Sequence, residues 1–581
     1  MNILQQINKP SDIKTLTKVE LNSLLDEIRN AILNRVSKIG GHVGPNLGMV
    51  EAIVALHYVF NSPKDKIVFD VSHQCYAHKI LTGRKEYFLN DDKFHEISGY
   101  TSPNESEHDF FTVGHTSTSV SLASGLAKAR DLKKETHNVI AVIGDGSLGG
   151  GEALEGLNFA GELNSNLIIV VNDNEMSIAP NHGGLYQNLK ELRKTKGKSP
   201  INLFKSFGLE YVYLEEGNDI EKLISVFQQV KDNPKPIVVH IHTDKGHGYS
   251  FSEKEKEKWH YNMPFDIQTG ESTFSFSGEN YNSLTTEFLL QKAKKDEKVV
   301  VINAGTPGSI GFTPEIRDAF GSQFIDVGIA EEHAVAMTSA LAKGGCKPVF
   351  MVLSSFVQRT YDQLSQDLAL NKNPAVILVS WAGIGPNDAT HLGTFDIPLI
   401  SNIPNIVHLA PTSKEEYFAM LDWAIEQQDY PVVIRVPSFV VSDSKETVFT
   451  SLPKPQVIKK GEQVALLGVG SFYFLALKVA EELSKEGIEA TIVNPIVMSD
   501  IDKELLNHLK EKHLVVVTLE DGVLSGGYGQ KIASFYGASE MKVLNYGADK
   551  EFTDRESIEK LYNRYRLDEK KIVEDILTVL A

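Results

Sequence analysis

The chain predicts an α/β protein of three doubly wound domains, and three observations carry that reading. Apolar runs of strand length recur along the chain and alternate with segments of helical periodicity. Two of these runs, Val139–Ile143 and Leu167–Val171, end in Gly144-Asp145-Gly146 and Asn172-Asp173-Asn174, with a helix-length segment between them. Parallel strands joined by a helix place both C-terminal ends on one sheet edge, where open α/β sheets bind ligands. The third observation is bulk: 581 residues at 42% apolar and 23% charged content describe a soluble globular chain of several domains.

Composition also excludes classes. A formal charge of −18 argues against nucleic-acid and anionic-membrane partners. Cys75 and Cys346 make neither a disulfide framework nor a zinc cluster and suit a reducing cytoplasm. The polar opening, Met1–Pro10, does not read as a signal peptide. The apolar runs are too short to span a membrane.

In chain order, residues 17–39 form an amphipathic helix through Leu21, Leu25, Ile28, Ile32 and Val36. The glycines and Pro45 of GGHVGPNLG (40–48) interrupt it, and helical periodicity resumes over Met49–Phe60. Strand Ile67–Asp70 leads into Val71-Ser72-His73-Gln74. Three histidines stand in loops or at strand ends: His42, His73, and His115 within VGHTSTS (113–119). Ser/Thr caps then open a small-residue helix over Val120–Arg130. The paired strand ends follow. Asp145 and Asn174 offer a carboxylate and an amide oxygen, hard donors suited to Mg²⁺ or Ca²⁺, and Gly144 and Gly146 let backbone approach a diphosphate. Turn chemistry accounts for either tripeptide alone; the strand–helix–strand context selects the metal reading. Residues 181–207, with KELRKTKGKSP, read as a solvated loop. Ile237–His242 is a buried strand, SEKEKEK (252–258) a solvated helix face, and 265–280 an interdomain linker.

These residues carry a family resemblance. Gly-Asp-Gly followed by a helix and an Asn-rich strand end resembles the thiamine diphosphate motif. GGHVGPNLG, DVSHQCYAHKILTGR, ESEHD and VGHTSTS resemble the 1-deoxy-D-xylulose-5-phosphate synthases, relatives of transketolase. The resemblance implies Mg²⁺ on Asp145, Asn174 and the Met176 carbonyl. It implies thiamine diphosphate among His73, Gly114, His115, Gly144, Gly146, Ser147 and Lys245. It puts His42, His73 and His260 against the donor substrate.

The second domain (281–452) begins with strand Val299–Ala304, and a second strand, Phe324–Val327, runs into Gly328-Ile329-Ala330-Glu331-Glu332-His333. A carboxylate at a helix start suits the dipole. The resemblance gives Glu331 a sharper role, hydrogen-bonding N1′ of the aminopyrimidine to awaken the thiazolium. After strand Val349–Leu353, the resemblance implies that Phe356 stacks on the aminopyrimidine and that Arg359 lies near the cofactor. In WAGIGPNDATHLGTFD (381–396), Asp388 and His391 match the acceptor-side pair. Departures cluster here. Leu353 and Trp381 replace a Tyr and an Arg, and Pro437-Ser438-Phe439 follows Arg435 where the family has Pro-Arg-Gly. Which arginine of that string grips an acceptor phosphate stays open; Arg435 is the one present here.

The last domain (453–581) carries strand Val464–Leu467 and glycine turns at Gly468 and in VLSGGYG (523–529), and reads as structural. The first domain is set at 1–264. The expected activity is condensation of pyruvate with D-glyceraldehyde 3-phosphate and loss of CO₂, by a cytoplasmic homodimer. A divergent transketolase-like enzyme with another donor or acceptor is the alternative that Leu353 and Trp381 raise. A non-catalytic partner subunit is disfavoured, because the metal motif and the Glu331 motif share one chain.

Overall fold

The structure, a computed structural model, describes residues 2–274, 278–437, 439–443 and 447–581. Residues 275–277 of the expected linker, and Ser438, lie outside the described residues. The chain divides into two compact units, Met1–Ser277 with Gly328–Ala330, and Gly278–Val327 with Glu331–Ala581.

The first unit is built on a five-stranded sheet in the order Lys66–Phe69, Val139–Gly144, Leu167–Asp173, Pro236–His242, Glu210–Leu214, with every pairing parallel. The central strand Leu167–Asp173 is buried along its whole length. Alternate residues serve opposite faces. Ile140, Val142, Ile168 and Val170 join one core, while Ala141, Ile143, Ile169 and Val171 join the other. A run apolar at every position is what a sheet covered on both faces requires. Helix Lys18–Ile39 starts at a capping box between Thr17 and Glu20 and stops at Gly40, where φ of +80° suits glycine alone among common residues.

The second unit holds two sheets. One is a six-stranded parallel sheet in the order Val407–Leu409, Val432–Arg435, Val376–Ser380, Lys347–Leu353, Val299–Asn303, Phe324–Asp326. The other has five strands, Gln456–Lys459, Thr491–Asn494, Gln463–Gly468, His513–Val523 and Lys542–Ala548, of which the first alone pairs antiparallel. Three parallel-type sheets flanked by helices make the expected fold class.

Three local expectations need correcting. The stretch 181–207 is not a solvated loop: Gly184–Lys194 and Leu203–Ser206 are helices, and Leu189, Leu192 and Phe204 are buried. The polar composition masks three leucines, Leu185, Leu189 and Leu192, spaced to share one helix face. The 252–258 run is helical only within Ser250–Lys254, and Ser252 is buried. The start of the 265–280 segment belongs to the first unit, since Phe265 is buried with its ring centroid 4.8 Å from that of Trp259. Among the described residues, no helix is long and apolar enough to cross a membrane.

Candidate active site

Strand register brings the two halves of the metal motif together. Gly144 pairs with Asn172, the Asp145 N–H donates to the Asn172 carbonyl at 2.9 Å, and the Asn174 N–H donates to Asp145 Oδ2 at 3.2 Å. Glu175 then takes a left-handed φ of +67°, and the Met176 N–H returns to Asn174 Oδ1 at 3.2 Å. Asp145 is buried, and that burial, followed by the neighbouring Asp173 carboxylate, pushes its carboxyl well above the ordinary range. Lys245 lies near but is committed to the Ser177 carbonyl at 2.6 Å, and burial pulls its ammonium down to about 7. A buried acid beside a second acid suits a divalent cation held by oxygen ligands.

The glycines of the turn play different parts. A side chain at Gly146 would stand 2.9 Å from Cβ of Ser177, so the turn and the segment after Asn174 touch there. A side chain at Gly144 would meet nothing within 4 Å, which leaves open space beside the turn. The VGHTSTS segment packs onto the same turn. The Ser117 hydroxyl donates to the Ser147 carbonyl at 2.8 Å, and the buried Asp70 accepts the N–H groups of Ser117 and Ser119 at 2.8 and 2.9 Å. Gly114 is buried and His115 half-buried in this segment.

His42, His73 and His260 form one aromatic cluster. Ring centroids lie 4.8 Å apart for His42–His73, 5.5 Å for His42–His260 and 5.3 Å for His73–His260. A short antiparallel pairing of Gly41-His42 with Tyr261-Asn262 brings the distant segments together. The Asn46 amide donates to the carbonyls of both His42 and His73 at 2.8 Å. His73 follows two left-handed non-glycine residues, Val71 and Ser72, at φ of +56° and +61°. A β-branched residue there is strained, and such strain persists only where surroundings enforce it. The Ser72 hydroxyl does so by donating to the Val113 carbonyl at 2.5 Å and accepting from the Thr101 N–H at 2.9 Å. Burial, then the charges of Lys245 and the two other histidines, keep His260 well below its ordinary value, so its ring stays neutral.

In the second unit Glu331 opens helix Glu331–Lys343 and is buried. Its Oε2 has no hydrogen-bond partner, while Arg359 Nη1 stands 3.6 Å away. Burial raises the carboxyl, with Arg359 opposing. An acid held this way fits a buried ring nitrogen as partner. The loop carrying Asp388 and His391 is pinned at its root by the Gly383 N–H donating to the Gly393 carbonyl at 2.7 Å. His391 sits edge-on to Phe356 at 5.6 Å. Thr390 provides the hydroxyl on His391 Nδ1 at 2.9 Å, and Asp388 provides a carbonyl to the His391 N–H, its carboxylate lying 3.6 Å from Arg555 Nε. Burial brings His391 down to about 4, so its ring too stays neutral.

Arg435 is buried, with Nε and Nη2 on Asp396 and Nη1 on Asp521. Two carboxylates share one guanidinium there, in charge-assisted contacts that hold it in place. Leu353 is core, and Trp381 is 53% exposed at a left-handed φ of +57°. Sequence reasoning missed the supports: Asn46, Asp70, and the His240–Asp173–Arg193 chain. Apart from the His42 carbonyl on Asn46, the partners lie about twenty or more positions away, and no local pattern marks them.

Comparison with known proteins adds a second line. Residues 4–200 and 193–243 match the family described as 1-deoxy-D-xylulose-5-phosphate synthase, 279–439 the transketolase pyrimidine binding domain, and 454–572 the transketolase C-terminal domain. The 1-deoxy-D-xylulose-5-phosphate synthase of Clostridium acetobutylicum is 39% identical over 99% of both chains. That of Caldanaerobacter subterraneus subsp. tengcongensis is 40% identical over 99% of both. Among solved structures, the transketolase of Campylobacter jejuni aligns over 100% of both chains at 18% identity with a TM-score of 0.44.

Proposed function

The chain belongs to the 1-deoxy-D-xylulose-5-phosphate synthase family, and on that premise we propose how its residues divide the work. The reaction joins pyruvate to D-glyceraldehyde 3-phosphate. One C–C bond of pyruvate breaks to release CO₂, one forms to the aldehyde carbon, and one proton is taken up by the new alkoxide. The enzyme is a thiamine diphosphate-dependent transferase of the transketolase type. When bound, the cofactor supplies the carbon nucleophile and the electron sink that decarboxylation needs.

In the first unit, Asp145, Asn174 and the Met176 carbonyl hold Mg²⁺, and the Gly144–Ser147 turn with Gly114, His115 and Lys245 holds the diphosphate. In the second, Glu331 hydrogen-bonds the pyrimidine nitrogen, Phe356 offers it a ring face, and Arg359 sets the charge beside Glu331. His42, His73 and His260 hold the donor's polar groups, and the neutral ring of His260 does so without adding charge that would favour retention of its carboxylate. His391, with Thr390 on Nδ1, moves the proton at the acceptor oxygen, and Asp388 braces that loop. The second and third domains are set at 281–452 and 453–581, and the protein acts as a cytoplasmic homodimer.

The observation that carries this reading is the buried Asp145 carboxylate, bonded by the Asn174 N–H and crowded by Asp173. Purified protein titrated with thiamine diphosphate should show saturable binding that requires Mg²⁺ and is lost in Asp145→Asn. With pyruvate and D-glyceraldehyde 3-phosphate it should release one CO₂ per sugar phosphate formed. Mg²⁺-independent binding would remove the metal assignment, and no product despite a bound cofactor would remove the substrate assignment.

A further inference from the structure

Helix Gly184–Lys194 reaches both arms of the proposed metal clamp. On one arm, the Tyr186 hydroxyl donates to the Gly146 carbonyl at 3.3 Å and stands 2.6 Å from where a side chain on Gly149 would begin. On the other, Arg193 forks: Nη1 meets Asp173 Oδ2 at 2.5 Å and Nη2 meets Glu175 Oε2 at 3.2 Å. Those two acids flank Asn174. Leu189 and Leu192 seat the helix in the same core as Leu148 of the turn. Asp173 is further held by His240 Nε2 at 2.8 Å, whose Nδ1 meets the Tyr211 hydroxyl at 2.8 Å.

This arrangement answers a physical problem. Asp145 and Asp173 are neighbouring buried carboxylates, and two unpaired acids there would either share a proton or both compete for the cation. A planar guanidinium on Asp173 neutralises that acid and spans to Glu175, fixing the backbone between them.

We propose that Arg193 and Tyr186 are positioning residues for the divalent-cation site, with helix Gly184–Lys194 acting as a brace across both of its arms. The inference rests on the reading that Asp145 and Asn174 hold Mg²⁺. Outer partners of metal ligands typically change metal affinity by about 10–100-fold when removed. Arg193→Gln should therefore raise the Mg²⁺ concentration for half-maximal thiamine diphosphate binding by roughly that factor. Arg193→Lys, which keeps the charge and loses the fork, should recover part of it. Tyr186→Phe loses one hydrogen bond and should raise it by about 2–10-fold.

The experiment is calorimetric titration of Mg²⁺ with saturating thiamine diphosphate in wild type, the three variants and Asp145→Asn, alongside thermal melts without ligand. A merely structural Arg193 would lower the melting temperature and leave the Mg²⁺ requirement unchanged, which overturns the inference alone. Should Arg193→Gln fail to fold, Arg193→Lys and Tyr186→Phe decide, and wild-type Mg²⁺ affinity in both overturns it. Wild type binding the cofactor without Mg²⁺ overturns the underlying metal reading, and the inference falls with it.

Discussion

Glu331→Gln should do two opposite things, and the structure sets both signs. The side chain keeps its shape, so packing is preserved. In the ligand-free protein the carboxyl is buried, its Oε2 lacks a hydrogen-bond partner, and Arg359 stands at 3.6 Å, longer than a hydrogen bond. Burial raises its folded-state value above that of the unfolded chain. For an acid this means the contribution to stability is whole below about 4.5, the ordinary value, and is lost as pH climbs through the folded value. At neutral pH ligand-free protein therefore bears the cost of that buried acid, and the amide relieves it. An unsatisfied buried group costs roughly 1–3 kcal/mol, and Arg359 offsets part of it. A gain of about 1 kcal/mol corresponds to a rise of about 2–4 °C in melting temperature for a domain of 150–250 residues. Catalysis moves the other way. A positioned acid or base contributes about 10²–10⁴-fold, so turnover should fall by that factor, some 3–5 kcal/mol of barrier. Scanning calorimetry at pH 5 and pH 8, with CO₂ release from pyruvate as the activity readout, checks both. The stability gain should be larger at pH 8. Turnover within tenfold of wild type, or a variant several degrees less stable at pH 8, would refute the reasoning.

Other perturbations separate structural from substrate roles. Arg435→Met leaves Asp396 and Asp521 buried without their cation and should cost about 3–5 kcal/mol of stability, while the KM ratio of D-glyceraldehyde 3-phosphate to unphosphorylated glyceraldehyde stays unchanged; a selective loss for the phosphate ester would restore Arg435 to the substrate set. His391, held down to about 4, is neutral when folded, so its stability contribution is whole above about 6.5 and fades as pH falls towards 4. Between pH 7.5 and 5 wild type should therefore lose up to about 2 kcal/mol more than His391→Asn in urea unfolding, and equal losses would contradict the burial of that ring. Gly146→Ala places a methyl 2.9–3.0 Å from Cβ and Cα of Ser177, which cannot rotate away, and should weaken cofactor binding at least tenfold as measured by titration; unchanged affinity would show that the turn does not contact the ligand.

How much of this was legible depended on the distance over which each feature is encoded. The meeting of Asp145 and Asn174 could be read because both residues follow apolar runs, and a parallel sheet turns that ending into proximity. Glu331 was legible for the same reason, a strand giving way to a helix. The helix Gly184–Lys194 was misread although Leu185, Leu189 and Leu192 mark it, because lysines and arginines dominate the stretch and helical spacing over three residues is a weak signal. The ion pairs of Arg435 are hidden from sequence for a different reason. Its partners Asp396 and Asp521 lie 39 and 86 positions away, and nothing in Val-Ile-Arg-Val-Pro tells a guanidinium that faces a ligand from one that faces two acids.

Ligand-facing and supporting residues differ in how the chain encodes them. Residues that touch a ligand tend to sit at element ends, where periodicity breaks and the break is visible. The residues that hold them in place do so through buried polar contacts whose partners come from other elements. Asp70 shows the difference. As the end of a strand it is visible; that it caps the helix after VGHTSTS through Ser117 and Ser119 is a fact of the folded chain, and the strained Val71–Ser72 pair that aims His73 hangs from it. Leu353 and Arg435 follow the same logic. Leu353 fills a core, Arg435 neutralises two acids, and Trp381 turns outward at a left-handed position. Packing accounts for Leu353 and charge for Arg435, and nothing in the structure explains Trp381.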